Sequence, residues 1–137
     1  MTVEALDTSV AVAALADWHP DHEVCRSAGS GAGIPVHALF ETYSCLTRLP
    51  PGHRVDPVSA GAVLTRWFPA GAILEPPQGS GAAFFARLIE TGIRGGATYD
   101  ALVALTADAH DAQLMTLDRR AIPTYERLGI RFRLLAG

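Results

Sequence analysis

A three-layer α/β/α domain with a mainly parallel central sheet is the fold class that this 137-residue sequence predicts. Three observations carry that expectation. Short apolar, strand-like runs alternate with longer helix-like segments along the whole chain. No repeat and no linker-like stretch divides it, and its length is that of one ordinary domain, able to bury roughly two-thirds of its unfolded surface. The composition, 49% hydrophobic and 18% charged, is that of a folded globular protein.

The elements follow in order. Val3, Ala5 and Leu6 read as a short buried strand, and Val10 to Ala16 as an alanine-rich helix. Asp7, Thr8 and Ser9 lie between them, and all three residue types are favoured helix N-caps. Asp21 to Ala28 forms a second short helix that ends in the flexible GSGAG of Gly29 to Gly33. A strand at Ile34 to Val36 leads into a helix from Ala38 to Arg48, which stops before Pro50-Pro51-Gly52. Asp56-Pro57 is a good cap and first-turn pair for a helix reaching Phe68. Ala72 to Glu75 is another short strand, closed by Pro76-Pro77. Ala82 to Thr91 is amphipathic, with Phe84, Phe85, Leu88 and Ile89 expected toward the core. A helix from Thr98 to His110, a strand at Gln113 to Leu117, a helix at Ile122 to Leu128 and a last strand at Ile130 to Leu135 complete the order.

Composition excludes several functions. The longest apolar run, Val10 to Ala16, is far short of the ~20 residues that span a bilayer. No basic stretch precedes an apolar one, so the expectation is a cytoplasmic protein without a leader or membrane contact. Cys25 and Cys45 allow at most one disulfide and are expected as free thiols. All 11 basic residues are arginine. Without lysine there is neither a Walker-type phosphate loop nor a Schiff-base mechanism. A net charge of −3 excludes a broadly basic nucleic-acid binder, so phosphates must be met by local arginines or by a metal.

The fold turns sequence positions into spatial ones, because ligands of a parallel sheet bind outside the carboxyl ends of its strands. Asp7 directly follows the first strand and Asp118 follows the QLMTL strand. Glu41 lies in the opening turns of a helix that leaves a strand. Asp100 starts a helix that runs antiparallel to the strand it feeds, so it too lies on the carboxyl edge. Two carboxylates ~5 Å apart repel by roughly 3 kcal/mol at an effective dielectric of 20, so four on one rim call for a positive partner. Oxygen-only donors suit Mg²⁺ or Mn²⁺, ions that activate water and neutralise phosphate in phosphodiester cleavage. Taken singly, each acid is equally an ordinary cap or surface residue.

The stretches LDTSV around Asp7, HALFETYSCLTRLP around Glu41, ATYDALVALTADAH around Asp100 and AQLMTLDRRA around Asp118 resemble a known family. In order and spacing they are similar to PIN-domain ribonucleases, specifically the VapC toxins of type II toxin–antitoxin pairs. The resemblance covers nearly the whole chain and implies a single PIN domain over residues 1–137. It implies that Asp7, Glu41, Asp100 and Asp118 form a catalytic acidic site. Asp7, Asp100 and Asp118 are the implied ligands of Mg²⁺ or Mn²⁺, and Ser9 and Thr116 the supporting hydroxyls. It further implies an RNA substrate, structured tRNA or ribosomal RNA, a VapB-like antitoxin and a homodimer. Arg119 and Arg120 beside Asp118 are candidates to grip RNA phosphates, or else solvated side chains.

Rival readings are weaker. His19, His22 and Cys25 have ligand-like spacing, but no second Cys/His pair completes a zinc tetrahedron, and His22 is expected to pack or cap. GSGAG precedes a strand instead of following one, so it is no dinucleotide loop, and no G-x-S-x-G elbow occurs. A phosphatase of similar sheet needs a second acid two residues after the first, where Ser9 stands, and a receiver domain needs a late lysine. A non-catalytic PIN-like interaction module is the remaining alternative, and a complete set of acids argues against it. Trp18, Trp67 and Phe84-Phe85 are expected in the core or on a dimer surface.

Overall fold

The computed structural model describes residues 3–135. Five short strands and seven α-helices alternate along the chain. They are β1 (Val3–Leu6), α1 (Thr8–Leu15), α2 (His22–Gly29), β2 (Ile34–Pro35), α3 (Val36–Thr47), α4 (Pro57–Trp67) and β3 (Ile73–Leu74), followed by α5 (Gly81–Thr91), α6 (Ala97–Ala109), β4 (Ala112–Thr116), α7 (Ile122–Leu128) and β5 (Phe132–Leu134). All paired strands are parallel. β1 runs beside β4 with Leu6 opposite Met115, and β4 beside β5 with Thr116 opposite Leu134. β2 and β3 pair separately, and a bridge between Ala5 and Gly33 carries β1 over to them. The spatial order is therefore β3-β2-β1-β4-β5, with β1 in the middle. Helices and sheet form alternating layers, as the sequence predicts.

The middle position of β1 explains its composition. Ala5 and Leu6 have no exposed surface, and on the neighbouring strand Leu114 and Met115 are equally sealed. The two sheet faces are covered at Ala5 and Leu6, whereas Val3 and Glu4 at the start of β1 reach solvent and Glu4 pairs with Arg133. The tight join beside β1 falls at Gly33. A Cβ there would sit 3.1 Å from the Ala72 carbonyl oxygen, so a larger residue would push the turn before β3 away from the chain beside β1 by a few tenths of an ångström.

Local chemistry sets the helix ends that matter to the site. Asp7 caps α1, its Oδ1 accepting from the Val10 amide at 3.2 Å. Asp56 caps α4 and accepts from the Ser59 amide, with Pro57 at the first helical position. β2 is shorter than the predicted Ile34 to Val36, because α3 begins at Val36 directly after Pro35. β5 is also shorter than predicted: Ile130 is buried outside it, while Arg131 and Arg133 are tied to Asp111 and Glu4 at 2.8 and 2.9 Å.

One packing expectation is corrected. Phe84 and Leu88 of α5 face the core, but Phe85 and Ile89 are 65% and 68% exposed. α5 packs mainly on α6 and α7, so a single narrow stripe of it is covered and the residues about 100° round the helix stay in solvent. Trp18 likewise lies outside the core, 45% exposed, with its ring 4.7 Å from that of His53.

Candidate active site

The carboxyl ends of β1 and β4 and the N-termini of α1, α3 and α6 open onto one cleft of about 590 Å³. Asp7, Glu41, Asp100 and Asp118 all line it, together with Ser9, Arg120 and Tyr125. Each acid arrives by a different local route. Asp7 is the first residue past β1, and its amide still donates to Met115 on β4 at 3.1 Å. Glu41 sits in the second turn of α3 and Asp100 in the first turn of α6. Asp118 lies in the turn after β4, where its amide donates to Thr116 Oγ1 at 2.9 Å.

Asp7 is the most constrained. It is 4% exposed and accepts hydrogen bonds from the Ser9 hydroxyl, the Val10 amide and the Tyr125 phenol. Burial raises its pKa above the ordinary carboxylate value, while the Ser9 and Thr116 hydroxyls, the Val10 amide and the Tyr125 hydroxyl pull the other way. Ser9 bonds in two directions. Besides donating to Asp7, its oxygen accepts from the Leu117 amide at 2.9 Å, which clamps α1 to the loop that carries Asp118. The hydroxyl of Thr8 donates to Glu41 Oε1 at 3.0 Å, joining α1 to α3. Arg120 approaches Asp118 at 3.5 Å from a side chain otherwise in solvent.

The electrostatics of the cleft follow from this crowding. The Asp100 carboxyl is raised to about 6, first by burial and then by the charges of Asp118, Glu41 and Asp7, with Arg120 as a small offset. Burial and the charges of Asp7, Asp100 and Asp118 push the Tyr125 phenol far up, so it remains a neutral donor. Among the described residues, no three Asp, Glu, His or Cys side chains close up into a ready chelate. The acids stand around an open cleft, leaving space for water or substrate oxygens beside a cation. The residues fit a hard divalent cation. Their donors are all oxygen, and the carboxylates of Asp7, Glu41, Asp100 and Asp118 face one space.

Ser9, Thr116 and Arg120 thus join the four acids, whereas Arg119 is exposed and lies off the cleft lining. The spacing His19, His22, Cys25 is used otherwise. His19 Nδ1 accepts from the Asp21 amide at 3.0 Å, and the His22 ring bonds the Ala13 carbonyl, tying α2 to α1. Cys25 is fully buried with its thiol pushed up to about 11, and both cysteines are free. Tyr125 was invisible to sequence reasoning. The one signal for it was that a buried tyrosine must place its hydroxyl on a partner.

The fold is an α/β domain with carboxylates gathered on the carboxyl edge of its parallel sheet. Residues 5–127 match the PIN domain, and the chain belongs to the PIN-domain family. It is 46% identical over 132 residues to Ribonuclease VapC40 of Mycobacterium tuberculosis (strain ATCC 25618 / H37Rv), covering 96% of this chain and 98% of that protein. It is 44% identical over 128 residues to Ribonuclease VapC27 of the same strain, covering 92% of each. Among solved structures, VapBC2 from Rickettsia felis bound to a promoter DNA fragment aligns with a TM-score of 0.67 at 17% identity, over 98% of this chain and all of that one. FitAcB from Neisseria gonorrhoeae aligns with a TM-score of 0.66 at 17% identity, over 95% of this chain and 96% of that one. These structural likenesses concern the fold. No helix among the described residues is long and apolar enough to cross a membrane.

Proposed function

We propose that this protein is the toxin of a type II toxin–antitoxin pair, a single PIN domain that hydrolyses RNA phosphodiester bonds internally in the cytoplasm with Mg²⁺ or Mn²⁺. The observation that carries the reading is the meeting of Asp7, Glu41, Asp100 and Asp118 around one cleft. The VapC ribonucleases with over 40% identity along nearly the full chain support it.

Asp7, Asp100 and Asp118 would hold the cation. When bound, it supplies Lewis acidity toward the phosphate and the attacking water. The protein's own groups orient that chemistry. Ser9 and Tyr125 hold the two oxygens of Asp7, so its carboxylate enters the cleft in one orientation. Thr8 fixes Glu41, which faces the cleft as the acceptor for a proton of the water. Arg120 steadies Asp118 and offers its free guanidinium face to an RNA phosphate, with Arg119 exposed beside it.

A structured RNA, tRNA or ribosomal RNA, is the substrate class. The open cleft also gives an inhibitor its route: a VapB-like antitoxin covers the rim and bridges carboxylates with an arginine. The active form is a homodimer. The test is cleavage of total RNA by the purified protein with Mg²⁺ or Mn²⁺, with EDTA, and by Asp7→Asn and Asp100→Asn. Metal-dependent cleavage lost in both variants supports the reading, and full activity in EDTA or in Asp100→Asn would sink it. Sequencing of RNA 5′ ends after brief induction identifies the target.

A further inference from the structure

The cleft poses a binding problem that its charges do not solve. Five carboxylates line it, Asp21 beside the four acids of the site; Arg120 is the one arginine among its described lining residues, and the chain has no lysine. Affinity for nucleic acid usually comes largely from cations that displace counterions from phosphates. An acidic rim has little of that term beyond what a cation and Arg120 supply, so a non-ionic grip on RNA close by would add the missing affinity.

Beside the cleft stands an unusual pair. Tyr99 directly precedes Asp100 in the first turn of α6, a helix otherwise buried along Ala101 to Ala107. It is 53% exposed. Its ring stacks on the imidazole of His37 with centroids 5.4 Å apart and planes 8° from parallel. His37 lies one turn before Glu41 on α3, its Nε2 3.8 Å from Glu41 Oε1. Two helices that deliver acids of the cleft therefore also deliver a stacked ring pair whose more exposed member is Tyr99, held to the acids by adjacency in sequence on one side and by a polar contact on the other.

We propose that the Tyr99–His37 stack is a nucleobase platform, which holds one unstacked base of the RNA next to the phosphodiester presented to the acidic cleft. The proposal rests on the ribonuclease reading. Every base has a π-face, so an aromatic shelf gives affinity without cations and without strict sequence preference. Because the shelf is preformed and joined to Asp100 and Glu41, the stacked base fixes where the neighbouring phosphate lies. It also favours single-stranded or looped RNA, in which a base is free to leave its stack.

The experiment compares two substrates of the full-length protein: a short unstructured oligoribonucleotide and a base-free diester, the same oligoribonucleotide with abasic residues flanking the scissile phosphate, both with Mn²⁺. Tyr99→Leu is expected to lower kcat/KM for RNA about 5- to 20-fold more than for the base-free diester, with the loss in KM. Tyr99→Phe and Tyr99→Trp retain the wild-type ratio. Binding of a 2-aminopurine-labelled oligoribonucleotide in EDTA reads the platform without turnover: wild type quenches the base, and Tyr99→Leu loses quenching and affinity. Equal losses on both substrates would mean that Tyr99 only positions Asp100, and would overturn the proposal. So would an unchanged ratio, including one accompanied by a changed oligomeric state in size-exclusion chromatography, which would assign Tyr99 to a contact between copies. If wild type cleaves neither substrate, the ribonuclease reading fails, while the EDTA binding still decides the platform.

Discussion

The phenol of Tyr125 donates to Asp7 Oδ2 at 3.0 Å across 118 positions of chain, joining the last helix to the first junction. Both residues are almost wholly buried, at 1% and 4% exposure. A buried carboxylate keeps its charge only if its oxygens are supplied with donors, and Tyr125 supplies one from the side opposite Ser9.

Tyr125→Phe removes that donor while keeping the ring in place. We expect a stability loss of about 1–2 kcal/mol, measured by urea denaturation. The Asp7 carboxyl should rise further, so the acidic limb of the RNA-cleavage pH profile shifts upward. An unshifted profile would show that Asp7 does not depend on the phenol.

Asp7→Asn and Asp100→Asn each exchange a carboxylate proposed to hold the cation for a neutral amide of the same shape. Cleavage of RNA should fall at least ~100-fold in each, and EDTA should do the same to wild type. Cell growth after induction, combined with gel assays, checks both. His22→Ala, which breaks only the α2–α1 tie, should retain cleavage.

Asp100 also makes a prediction about pH. Its carboxyl lies at about 6 in the folded protein against 3.8 as the unperturbed value, so the folded state binds the extra proton. The stability that this contributes is complete below about pH 4 and is lost as pH rises through about 6. In EDTA, Asp100→Asn should therefore be more stable than wild type at pH 7, by on the order of 1–2 kcal/mol after allowing for solvent screening. The gap should close toward pH 4. Asp7 keeps some of the same slope in the variant, since its carboxyl is raised too. Thermal melts across that range measure it, and a gap of constant size would refute the cause.

Divalent ions should reverse that penalty. Adding Mg²⁺ or Mn²⁺ should raise the Tm of wild type at pH 7 in proportion to the logarithm of ion concentration above Kd, and should leave Asp7→Asn nearly unmoved. Equal shifts in both proteins would place the ion elsewhere.

Products report the nucleophile. Attack by water leaves a 5′-phosphate and a 3′-hydroxyl, whereas attack by the RNA 2′-hydroxyl leaves a cyclic phosphate. We expect the former, read by ligation-dependent end mapping, because the cleft gathers carboxylates around a space open to solvent.

Much of this architecture was legible in the amino-acid sequence. The strand of Val3 to Leu6, sealed at Ala5 and Leu6 though Val3 lies exposed, the caps at Asp7 and Asp56, and the alternation of strands and helices are local properties: backbone geometry, side-chain hydrogen bonds within a few residues, and the period of apolar positions. From the alternation alone, parallel-sheet geometry sent Asp7, Glu41, Asp100 and Asp118 to one edge. Which oxygens meet which donors was decided only in three dimensions. Thr8 on Glu41, Ser9 on the Leu117 amide, Tyr125 on Asp7 and Tyr99 on His37 join segments far apart in the chain. The same holds for Phe85 and Ile89, whose apolar character predicted a buried face that no neighbouring element covers. A sequence pattern states what a residue needs, a donor, a cation or a dry surface. The packing of distant elements determines which neighbour meets that need.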